Sequence, residues 1–202
     1  MKEIFPANSE KGVLYVGFDD SNHLGRVKAE IVVGVFSFNC DDAVVRFHSN
    51  RRKHRETEEW IKAGRDYRYT ILTGSQLVGR HGKYNSTNLP FAAPYLVRNY
   101  LSSLSEVVRQ RIEKIGLYFD GQINADNIEH LKFCFKDFPE LDIAGFIKKS
   151  RVGRNRKSSK RPICPEVVYR ADTIAHDLFR RLQPASKTSL DKLAEDPLFV
   201  RI

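Results

Sequence analysis

Apolar residues in this chain gather first in short continuous runs and only later at helical spacing. Residues 13–18 (VLYVGF) are almost wholly apolar and stop at Asp19-Asp20-Ser21-Asn22. A run of that length bounded by turn residues predicts a strand buried on both faces. Residues 20–26 have the composition of a turn, and residues 27–38 (VKAEIVVGVFSF) predict a longer strand rich in β-branched and aromatic side chains. Residues 39–42 (NCDD) turn the chain into a third expected strand over 43–48, which completes an antiparallel meander. A short helix is expected over 56–64, with Gly64 as its stop signal, and a further strand over 66–73.

Residues 74–88 are polar and glycine-containing and predict a loop. From Pro90 to Lys114 the apolar positions Leu96, Tyr100, Leu104, Val107, Val108 and Ile112 recur three or four apart, which predicts one long amphipathic helix. A second apolar run, residues 115–119 (IGLYF), ends in Asp120-Gly121. Then come a helix over 124–135, a strand over 141–147, and a final helix opened by Pro165 and running to Leu182. Three antiparallel strands followed by strand, helix, strand and helix imply an α/β fold with a mixed sheet and helices on both faces, because a crossover within one sheet is right-handed and parallel. Residues 1–12 read as a lead-in, 13–182 as one domain, and 183–202 as a tail packed on it through Leu190, Leu193, Leu198 and Phe199.

Charge changes this picture at one place. The net charge is +9, and eight Lys or Arg with no acid lie within residues 148–161: Lys148, Lys149, Arg151, Arg154, Arg156, Lys157, Lys160 and Arg161. That segment carries nearly the whole excess, and the remainder of the chain is close to neutral. Its expected partner is a polyanion, nucleic acid in the first instance, bound through phosphates without reading sequence. A smaller basic cluster sits at Arg51, Arg52, Lys53 and Arg55. Cys40, Cys134 and Cys164 are too scattered for a zinc site or a disulfide framework. No run spans a bilayer, no Walker or Gly-x-Gly-x-x-Gly pattern occurs, and a cytoplasmic location is the default expectation.

The candidate chemistry lies at the strand ends. Asp19 and Asp120 each close an apolar run, and a carboxylate there is costly to bury without a partner. On neighbouring strands the two would converge and call for a proton or a divalent cation. Asp172 lies beside the apolar face of the last helix, where Ala171 and Ala175 permit close approach to the sheet. Asp20 reads as a turn cap, with metal ligation as its alternative.

This order of elements, with Asp19, Asp120 and Asp172 at these places, resembles the RNase H-like nuclease superfamily. Asp19-Asp20-Ser21 is similar to the Asp-Glu-Ser opening of one uncharacterised branch, and Ala171-Asp172-Thr173-Ile174-Ala175 matches that branch's Ala-Asp-x-x-Ala helix. Tyr118-Phe119-Asp120-Gly121 is also similar to the Asp-Gly strand end of the Argonaute catalytic module. The resemblance implies Mg²⁺ or Mn²⁺ held by Asp19, Asp120 and Asp172, with a fourth acid from Glu56, Glu58, Glu59 or Asp20. It implies hydrolysis of phosphodiester bonds in RNA, DNA or a hybrid; the alternative is an inactive nucleic-acid-binding module on the same fold. His176, one turn beyond Asp172, could order water or assist proton transfer.

Overall fold

The structure is a computed structural model that describes residues 12–21, 29–48, 53–73, 88–138, 140–146, 163–181 and 187–202. Its centre is a five-stranded sheet built from β1 (Val13–Ser21), β2 (Ala29–Ser37), β4 (Asp66–Thr73), β5 (Lys114–Asp120) and β6 (Glu140–Phe146). The strands lie in the order β4-β2-β1-β5-β6. β2 pairs antiparallel with both β1 and β4, whereas β5 runs parallel to both β1 and β6. This is the mixed sheet, antiparallel on one side and parallel on the other, that the order of the apolar runs leads one to expect.

Helices cover both faces. One face, with Leu14, Val16, Phe18, Val32, Phe36, Leu72, Ile115 and Leu117, packs on α2 (Asn88–Ser103). Opposite, Tyr15, Ile31, Val33 and Val35 pack on α5 (Glu166–Arg181) through Val167, Val168, Ala171, Ala175 and Leu178. Central strands buried on both sides explain why β1 and β2 read as continuous apolar runs.

The third strand of the meander is β4, not residues 43–48. A 3-10 turn at Cys40–Ala43 diverts the chain, and buried Asp42 anchors it by accepting bonds from Ser37 Oγ (2.6 Å), Trp60 Nε1 (3.1 Å) and Arg65 Nε (3.0 Å). Val45–Phe47 (β3) then pairs with Ile163–Pro165 (β7) as a separate ribbon. Pro165 therefore ends a strand, and α5 begins at Glu166.

The expected long helix over 90–114 divides. Ser102 and Ser103 hydroxyls donate to the carbonyls of Asn99 and Tyr100, which competes with continued helix, and Ser105 caps a separate short helix α3 (Glu106–Arg109). Lys114 belongs to β5. Two shorter helices, α1 (Lys53–Lys62) and α4 (Ala125–Cys134), match the expected helical segments to within a few residues. The loop expected over 74–88 falls outside the described residues except for Asn88, which opens α2.

At the far edge, a C-terminal strap follows α6 (Lys187–Ala194) and lies along β4. The Tyr69 N–H donates to the Leu198 carbonyl, the Val200 N–H donates to that of Tyr69, and the Tyr69 hydroxyl donates to that of Leu193.

Candidate active site

Strand register brings two of the three aspartates together. β1 and β5 pair in parallel up to Phe18↔Phe119, whose rings stack at 4.8 Å, so Asp19 and Asp120 stand one step further on, side by side. Neighbouring strands are about 4.8 Å apart. Because side chains alternate, both carboxylates point away from the two phenylalanines, toward α5. Asp19 is 1% exposed, its Oδ1 accepts the Asp20 N–H at 2.8 Å, and Asp120 is half-buried.

Beyond Asp120 the chain turns sharply at Gly121, whose φ is +100° and whose N–H donates to the Phe146 carbonyl at 2.9 Å. A left-handed residue at this spot favours glycine. Phe146 is itself the β6 partner of Asp120. β6 thus ends directly beside Asp120, and the eight basic residues that follow it in the chain lie outside the described ones.

The α5 helix reaches the site by crossing β1 at Gly17. A Cβ at Gly17 would stand 2.3 Å from the Val167 carbonyl carbon, so only glycine permits this approach. Four residues along the helix, Ala171 packs in the same cluster as Val33, the β2 partner of Asp19. Asp172 follows at the rim of this contact, and its carboxylate is ion-paired with the Lys53 ammonium.

Two expectations change. Asp20 is not a turn residue: it lies inside β1, 4% exposed, opposite Val32. Val32 belongs to the α2 face, so Asp20 points through the sheet away from Asp19 and Asp120. Among the acids of α1, Glu59 is paired with Arg55 at 2.9 Å on the exposed side, and the residue that α1 presents to Asp172 is Lys53. Among the described residues, no three His, Cys, Asp or Glu side chains gather closely enough to hold a metal ion.

Sequence patterning missed the clamp between α1 and α5. Arg170 donates to Thr57 Oγ1 at 2.9 Å, His54 meets Asp177 at 2.7 Å, and Lys53 lies 5.3 Å above the Tyr169 ring while it holds Asp172. The partners are more than a hundred residues apart, beyond any local period. Lys53 was visible only as one member of a basic cluster. His176 is exposed, and partial burial, Arg180 and Lys53 hold its pKa below the usual histidine value.

The donor chemistry of Asp19 and Asp120 suits one hard divalent cation. Mg²⁺ in particular is commonly held by one or two carboxylates, with water and substrate phosphate completing its shell. Asp172 does not complete a three-carboxylate set while Lys53 holds it.

No protein-family profile and no curated protein matches the chain. Among solved structures it is similar to a chain of the PCNA:RNase HII complex from Archaeoglobus fulgidus, with 15% identity over 90% of this chain and 77% of that one, at a TM-score of 0.38.

Proposed function

We propose that the protein is a divalent-metal-dependent nuclease that hydrolyses phosphodiester bonds in nucleic acid. The observation that carries this reading is the parallel register of β1 and β5, which brings Asp19 and Asp120 side by side where that pairing ends, near the carboxyl ends of two central strands. In open α/β sheets that edge is where ligands bind. When bound between these carboxylates, Mg²⁺ or Mn²⁺ supplies Lewis-acid activation of water and charge stabilisation for phosphoryl chemistry.

The chain's own residues provide the rest. Asp19, buried in the sheet, would be the fixed anchor, and half-buried Asp120 the more accessible of the two to an arriving backbone phosphate. His176, one turn beyond Asp172 and with its pKa held below the usual histidine value chiefly by partial burial, is the imidazole available for proton transfer at the rim of the site. The basic segment, which follows in the chain on the strand end beside Asp120, supplies salt-dependent attraction for the polyanion.

The test incubates labelled RNA, DNA and hybrid duplexes with Mn²⁺ and compares the wild type with Asp120→Asn. Cleavage should fall at least a hundredfold in the variant while the fold is retained. Cleavage that persists unchanged would remove Asp120 from the mechanism. Binding without any cleavage by the wild type would leave an inactive nucleic-acid-binding module.

A further inference from the structure

We infer that Lys53 serves as a built-in second cation of the site, so that the chain takes up one divalent ion and not two. This rests on the proposed ligation of a metal by Asp19 and Asp120. A paired-metal arrangement would need Asp172 as an oxygen donor for the second ion. In the structure that oxygen is engaged by the Lys53 ammonium, with Asp172 31% and Lys53 18% exposed at the side chain.

The pairing is not a chance meeting of long surface side chains, because α1 is fixed in place around it. Arg170 Nη1 donates to Thr57 Oγ1 at 2.9 Å and stands 3.4 Å from the Lys53 carbonyl, so the first turn of α1 is tied to α5 two residues from Asp172. His54 holds Asp177 one turn further on. The ammonium also rests 5.3 Å from the centre of the Tyr169 ring, whose face favours a cation. Lys53 is thereby anchored by its own helix, by a carboxylate and by an aromatic face.

Electrostatics gives the consequence. An ammonium placed at Asp172 repels a doubly charged ion from that oxygen, and a partly desolvated pair is screened only weakly. It also contributes one positive charge beside the place where phosphate would lie, and does so without metal. The site would therefore present one exchangeable divalent ion and one permanent cation.

Mn²⁺ stoichiometry tests this on the full chain, by titrating metal-free protein and following free Mn²⁺ by electron paramagnetic resonance. Wild type and Lys53→Arg should each bind one Mn²⁺. Lys53→Met should bind two, and adding Asp172→Asn to it should return the count to one. A count of one for Lys53→Met, or of two for the wild type, would overturn the role of Lys53 and leave ligation by Asp19 and Asp120 standing. A count of zero for the wild type would instead sink the metal reading itself.

Discussion

Glu166 shows how this fold handles charge at the level of single residues. Its carboxylate is 5% exposed, yet it receives Arg46 (2.7 Å) and Arg170 (2.6 Å), one guanidinium on each oxygen. A buried carboxylate paired so fully no longer calls for further positive charge. His48, 3.4 Å from the same carboxylate, stacks on Tyr169 at 4.1 Å and donates a hydrogen bond from its Nε2–H to the Cys164 carbonyl at 2.7 Å. Burial, and then the two arginines, hold the His48 pKa below 6.5 despite the attraction of Glu166 and the carbonyl bond. On acidification the unfolded chain therefore takes up this proton before the folded one does. The neutral form's contribution to stability is complete above about pH 6.5 and is lost as pH falls through the lower, folded value. Denaturant unfolding between pH 7.5 and 5 should show the wild type losing stability more steeply than His48→Gln, by up to about 1.4 kcal/mol per pH unit. Gln retains an N–H donor and does not titrate, so parallel curves for the two proteins would mean that His48 is not held neutral.

At the scale of elements, the approach of α5 to β1 decides whether a site can exist. Asp172 comes near the sheet because Gly17 lets the helix backbone in, and the small Ala171 and Ala175 continue the contact over β2. Gly17→Ala would put a methyl group 2.3 Å from backbone carbon. The helix cannot yield locally, since Val167 and Val168 are fully buried on that side. We expect a loss of about 3 kcal/mol, seen as a fall in Tm of roughly 6–12 °C for a chain of this length; a change under 1 °C would show that helix and strand can part here without cost. The strands were legible in the sequence because a central strand covered on both faces has to be apolar throughout. Local patterning fails where polar side chains overrule it. Asp42 gathers three donors and turns residues 40–43 out of the sheet, and the Ser102–Ser105 hydroxyls divide a stretch whose apolar spacing is otherwise helical.

For the molecule as a whole, the geometry of the candidate site was legible where it depends on strand order and illegible where it depends on contacts between distant helices. Asp19 and Asp120 could be paired in advance because each ends an apolar run. No period in the chain links Lys53 to Asp172, and alternation in a strand longer than its apolar core is what sends Asp20 to the other face. β6 runs parallel to β5 and ends at Phe146, the register partner of Asp120, and the chain re-enters at Ile163 just before α5. Whatever path residues 147–162 take, both ends are tied to the elements that bear Asp120 and Asp172. Of the nine net positive charges, eight are borne by that segment, so on the proposed reading a phosphate backbone drawn to it would be brought toward the strands and helix that bear the two aspartates. Replacing Arg154, Arg156 and Lys157 together by Gln should therefore weaken nucleic-acid binding at low salt. It should also flatten the slope of log K against log salt by about 0.9 for each duplex phosphate that the variant no longer neutralises. Thermal stability should be unchanged, which separates a weakened interface from a damaged fold. Binding isotherms at several salt concentrations give the answer: a slope equal to that of the wild type would mean that the polyanion is held elsewhere, and that the charge of this segment serves some other partner.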